Sequence, residues 1–108
     1  MVTQEQAQQL LGQAQVYQQQ MQSILAQKET LKMQQLELKK ALEEMEKSHE
    51  ASVYKASGPI LIKSLREDVK KELSERDEFI TTRLQTFERS EKKVREKIEE
   101  LREKLNKE

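Results

Sequence analysis

Along the C-terminal half of the chain, apolar residues return every seven positions without a slip: Leu73, Ile80, Phe87, Val94 and Leu101. Leu84, Ile98 and Leu105 fill the companion positions, which Asp77 and Glu91 interrupt. A repeat of this kind gives a helix one narrow apolar seam, and a second helix is what buries it. The N-terminal half carries the matching pattern in Leu10, Ala14, Tyr17, Met21, Ile24, Leu31, Leu38, Leu42 and Met45. Lys28 and Gln35 fall on that seam and break it.

Helix boundaries are written in the flanking residues. Thr3 with Gln6 has the spacing of a capping box, and Val2 with Ala7 that of a hydrophobic staple. Ser64 with Glu67 predicts a second capping box, and Glu67 and Asp68 suit the positive end of a helix dipole. The helices are expected over about residues 3–50 and 64–107, each about 65–70 Å long at 1.5 Å per residue. Glu72→Arg76, Glu88→Lys92, Glu91→Arg95, Glu100→Lys104 and Glu103→Lys107 are i→i+4 ion pairs in the favourable order.

Between the helices lies the one real interruption, Val53 to Lys63. Gly58 and Pro59 sit between two short β-rich runs, Val53-Tyr54-Lys55 and Ile60-Leu61-Ile62. Turn residues between two such runs predict a β-hairpin over about residues 53–63. The fold class follows: mainly α, a long antiparallel two-helix coiled coil joined by one central β-hairpin. Residues 1–108 are expected to form a single domain, with both termini at the tip far from the hairpin.

Composition agrees with this reading and excludes others. Apolar residues are 34% and charged residues 37%, too little apolar surface for a conventional globule and the profile of long helices. Twenty basic residues balance twenty acidic ones, which argues against a nucleic-acid partner and against a polybasic membrane anchor. There is no Cys and one His, so no metal site and no cysteine nucleophile is expected. Neither a signal peptide nor a membrane span is apparent, and a cytoplasmic protein is expected.

The predicted hairpin is apolar on both faces, with Ile60 and Ile62 opposed to Leu61 and Tyr54 opposed to Val53. An isolated two-stranded hairpin is marginally stable. One that is apolar on both sides expects cover on both, and its edges expect pairing. The inference is a β-layer shared between several chains, with the helices projecting from it. The plainer alternative is a hairpin folded back on its own helices.

The first 27 residues hold eleven Gln and a single charge, Glu5. Gln is a good helix former, so this is foremost a solvated helix face, and it also makes an uncharged surface tolerant of many partners. Leu10, Leu11, Tyr17, Met21, Leu101 and Leu105 lie toward the tip. All but Leu11 are foremost seam residues packed between the two helices, yet a two-helix tip covers each side chain only in part, so the six are candidate residues for gripping apolar partners. Met21 and Met33 would adapt to varied apolar surfaces. His49 reads as a cation at the end of the first helix. Glu43 and Glu44, like Glu99 and Glu100, are sequence neighbours that diverge around a helix and have no pocket, so acid–base catalysis is not expected. Gly58-Pro59 is no phosphate loop, and Lys92-Lys93 is too short and too well balanced by acids to suggest DNA. No enzyme activity and no cofactor are expected.

Val53-Tyr54-Lys55 followed by Gly58-Pro59-Ile60-Leu61-Ile62-Lys63, set between two long heptad helices, resembles the β-class subunits of prefoldin over about residues 5–105. The α class carries two hairpins, and only one is found here. That resemblance implies a hetero-hexamer of two α-class and four β-class subunits whose hairpins join in a double β-barrel. It implies an ATP-independent chaperone that holds unfolded proteins at the coiled-coil tips and passes them to a group II chaperonin. The motif carries over Val53, Tyr54, Gly58, Pro59, Ile60, Leu61 and Ile62 as the oligomerisation hairpin. A structural tether or dimerisation rod without client activity is the rival reading, and a rod has no use for a hairpin that is apolar on both faces.

Overall fold

The computed structural model describes residues 2–106. Helix α1 runs from Gln4 to Lys47. Its start is a formed capping box: the Gln6 N–H donates to Thr3 Oγ1 at 3.1 Å, and the Thr3 N–H donates to Gln6 Oε1 at 2.9 Å. Strand β1 (Ser52–Ser57) and strand β2 (Ile60–Leu65) form one antiparallel hairpin. Helix α2 follows directly as Arg66–Asn106.

Both strands are longer than the β-rich runs suggest, because pairing continues outward through Val53↔Ser64 and Ser52↔Leu65. That extension displaces the second predicted cap. Ser64 belongs to β2, its hydroxyl donates to the Ile62 carbonyl at 3.4 Å, and α2 starts two residues later. Ladder pairing fixes the Ser64 backbone in an extended form facing Val53, so its side chain does not reach the first turn of α2. The Arg66 N–H, which donates to the Ala51 carbonyl at 2.9 Å, carries the bonding one step beyond the strands. His49 lies exposed beyond the end of α1, in the short link before β1.

Ser57 pairs with Ile60, leaving Gly58-Pro59 as a two-residue loop. Gly58 has φ of 57°, which with the fixed negative φ of proline matches a type II′ turn. That turn has the twist the flanking strands need.

The chain divides into two units, the residues up to Thr30 with those from Leu84 onward, and Leu31–Arg83. Within each unit the two helices run back along one another. In the first, Lys28 meets Glu91. In the second, Gln35 meets Asp77, and Glu46 meets Lys70. Every predicted seam position of α1 is half-buried or buried, Lys28 and Gln35 included, while almost every other α1 residue is exposed. Burial is shallow throughout. Among the described residues only Met45, Ile80, Leu84 and Leu101 count as buried, and none is fully enclosed.

Of the predicted i→i+4 pairs, Glu91–Arg95 forms at 2.7 Å and Glu72–Arg76 at 3.6 Å. Glu100 meets Lys97 instead of Lys104. Among the described residues Glu88 and Lys92 stand beyond ion-pair distance, and Glu103–Lys107 lies outside them. Arg76, Glu88, Lys92, Arg95, Glu100 and Lys104 are exposed, so solvent competes for their pairs.

Gly58→Ala tests the turn. A Cβ there would meet nothing within 4 Å, so the cost comes only from the positive φ. The substitution is expected to destabilise the chain by about 1–2 kcal/mol in chemical denaturation.

Candidate interaction surfaces

Strand register sorts the hairpin into two unlike faces. Val53, Lys55, Ile60, Ile62 and Ser64 share one face, and Tyr54, Ala56, Leu61, Lys63 and Leu65 share the other. On the first face Val53 and Lys55 are half-buried, and the Lys55 ammonium donates to both carboxylate oxygens of Glu72 on α2 at 2.8 and 2.9 Å. Ile60 and Ile62, nearer the turn, are exposed. The second face is bare: Tyr54 is 68% exposed and Leu61 70%, with Leu65 beside them. The seven hairpin residues singled out from sequence therefore lie together, and Leu65 joins them. A longer reading of β2 would have found it, because it continues the Leu61–Lys63 alternation.

The base of the hairpin is tied by one side chain. Arg66 Nε and Nη2 both donate to the Met45 carbonyl, at 3.1 and 2.8 Å. That carbonyl lies in the last turn of α1, where intrahelical donors have run out.

The four polar interruptions of the seam meet each other. In the first unit the Lys28 ammonium donates to Glu91 Oε2 at 2.7 Å, and each side chain is only 13% exposed. In the second unit the Gln35 amide donates to Asp77 Oδ1 and to Thr81 Oγ1, both at 3.0 Å. Each break in one helix is answered by a break in the other. Hydrogen bonding from Lys28 holds the Glu91 carboxyl below its ordinary value. Lys55 does the same for Glu72, and Lys70 for Glu46.

The six tip residues all lie in the first unit and differ in what they present. Leu101 is buried at 5% exposure, so it packs within the seam. Leu10, Tyr17, Met21 and Leu105 are half-buried, and Leu11 is 54% exposed. Val16 and Leu25, also exposed, lie off the seam in the same uncharged stretch. Sequence reasoning passed over them because it followed the heptad positions. Also in this unit, a shallow apolar groove exposes Ile24, Phe87 and Val94 between Ser23, Ser90 and Lys93. In the second unit Phe79 is exposed with the Arg83 guanidinium 5.9 Å from its ring centre. Among the described residues no three His, Cys, Asp or Glu side chains gather as metal ligands. No helix there is long and apolar enough to cross a membrane.

Fold and surface define a class of protein: a helical hairpin whose helices are joined by one β-hairpin with uncovered apolar faces. A family model described as prefoldin subunit matches residues 8–108. The prefoldin subunit beta of Thermococcus onnurineus is 43% identical over 101 residues, covering 93% of this chain and 87% of that protein. The prefoldin subunit beta of Pyrococcus furiosus is 42% identical, covering 93% and 86%. A crystal structure of the prefoldin beta subunit from Thermococcus strain KS-1 superposes with a TM-score of 0.84 at 39% identity, covering 92% of this chain and 88% of that one. The chain belongs to the prefoldin family of chaperone subunits, on the β-class side of it.

Two outcomes follow from the polar layers. Removing Lys28 leaves the half-buried Glu91 carboxylate with only the outward-facing Arg95 as an ion-pair partner, so Lys28→Met is expected to lower the melting temperature more than Lys28→Met combined with Glu91→Leu. The lowered carboxyl of Glu91 sets the sign of the pH effect. Its contribution is complete above the unfolded carboxylate value of about 4.3 and disappears as pH falls through the lower folded value. Melting temperature should fall with acidification below that point, and Glu91→Gln should make the decline shallower.

Proposed function

We propose that this chain is a β-class subunit of a cytoplasmic prefoldin, a hetero-hexamer of two α-class and four β-class subunits that works without ATP. On this reading residues 1–108 act as one domain. Hairpins from different subunits close into a shared double β-barrel through Val53, Tyr54, Gly58, Pro59, Ile60, Leu61 and Ile62. The helices carry the tip residues Leu10, Leu11, Tyr17, Met21, Leu101 and Leu105 to unfolded proteins, which pass on to a group II chaperonin.

The observation that carries the reading is the hairpin, a two-stranded sheet with Tyr54, Leu61 and Leu65 bare on one face and Ile60 and Ile62 bare on the other. Such a sheet is marginal alone and gains its stability from cover by other chains. Membership of the prefoldin family supports the same conclusion.

Client holding follows from weak contacts summed over several tips. Burying one or two side chains such as Leu11 gains about 1.5–3 kcal/mol each, and ordering an unfolded partner offsets much of that. Several tips engaging one client restore affinity through effective concentration while each contact still releases easily. Leu11 is the most open of the six, and Val16 and Leu25 widen the same uncharged surface. Leu101 contributes by holding the helices together.

Aggregation of a denatured protein, followed by light scattering, tests this reading. The complex of this chain with an α-class subunit should delay aggregation. Leu11→Ser, Val16→Ser and Leu25→Ser together should abolish most of that delay while the complex still assembles. An intact complex that fails to delay the aggregation of any of several denatured proteins would instead favour a purely structural coiled coil.

A further inference from the structure

The hairpin is joined to the helices by short segments, yet its two faces are treated differently. The face with Val53 and Lys55 is half-buried there and exposed at Ile60 and Ile62, and the other is bare. Directional bonds can hold that choice. Three polar ties in the second unit do so.

Arg66 supplies two of them. Its backbone N–H bonds the Ala51 carbonyl at 2.9 Å, closing the open end of the hairpin. Its guanidinium places two donors on the Met45 carbonyl, and the side chain is 19% exposed. One residue at the start of α2 therefore caps the end of α1, where a cation also suits the helix dipole. Lys55 supplies the third tie by gripping Glu72, one turn and a half into α2, from the middle of β1. Lys55 projects from the same face as Ile62, so this bond turns the opposite face, with Tyr54, Leu61 and Leu65, away from α2.

We propose that Arg66 and Lys55 are positioning residues that fix the orientation of the hairpin before assembly and so decide which apolar face is offered to a neighbouring subunit. The value of the arrangement rests on the reading that the hairpin is an assembly element, but the ties themselves belong to the single chain. Orientation set in advance removes an ordering cost from association. An ammonium on a carboxylate and a guanidinium on a carbonyl are directional, as an apolar contact is not.

Hydrogen–deuterium exchange on the full-length chain alone tests the proposal. Arg66→Gln and Lys55→Met should each speed exchange of the hairpin amides about ten-fold and leave the seam amides of α1 and α2 unchanged. The swap Lys55→Glu with Glu72→Lys should restore protection that Lys55→Glu alone loses. Unchanged hairpin exchange in Arg66→Gln and Lys55→Met overturns the proposal. If Arg66→Gln unfolds the whole chain, the Lys55 single variants and the swap decide, and a swap no better than Lys55→Glu overturns it. Titration with an α-class subunit, followed by light scattering, then reads the consequence. Each single variant should need at least ten-fold more partner than the unsubstituted chain. An unsubstituted chain that never assembles would defeat the assembly reading and leave the exchange result standing by itself.

Discussion

A seam only one side chain wide governs this protein. Two helices can bury a seam, but they cannot enclose it, and even Leu101, buried deepest among the described residues, keeps 5% of its surface. Apolar contact of that kind is non-directional and tolerates sliding by a turn or a heptad. Direction comes from the polar layers, Lys28 with Glu91 in one unit and Gln35 with Asp77 in the other. A shifted register would part Lys28 from Glu91 and Gln35 from Asp77. Loss of a partner is the costly state for a half-buried charge. The layers thus lower the maximum stability of the seam and narrow the pairings it accepts.

The same shortage of depth explains the hairpin. Two helices with exposed flanks have little apolar surface with which to cover a sheet, so most of the sheet remains bare. Polar bonds replace packing at its base: Arg66 on the Met45 carbonyl, Lys55 on Glu72 and Lys70 on Glu46. What is left over is a pair of apolar faces anchored to a polar mount. Within a single chain that surface has no use, and in an assembly it supplies what the helices lack.

Much of this was legible in the residues themselves. The seam could be read because a heptad repeat is a direct record of burial, and the Gly58-Pro59 turn because few sequences satisfy its angles. Thr3 and Gln6 announced a cap that forms. Ser64 and Glu67 announced one that does not, since the same residues also served a strand and ladder pairing prevailed. Lys28, Gln35, Asp77 and Glu91 were visible as faults but not as partners. For Lys28 and Glu91, 30 residues before Gly58 and 32 after Pro59, near-equal distance from the turn held the signal; Gln35 and Asp77, 23 before and 18 after, carried none. Arg66 carried no signal, because a guanidinium that caps a different helix leaves no mark in local spacing. At the tip, attention to the seam picked out Leu101, which is buried, and missed Val16 and Leu25, which are open. What a tip can offer a partner is set by what remains uncovered, and periodicity records the opposite.

The central claim is that the bare hairpin exists to be covered by other subunits. Native mass spectrometry of this chain mixed with an α-class prefoldin subunit tests it most directly. The account predicts a hexamer containing four copies of this chain. A persistent homodimer that ignores the partner would contradict it, and the helices would then be a structural rod that carries the family fold without the family assembly.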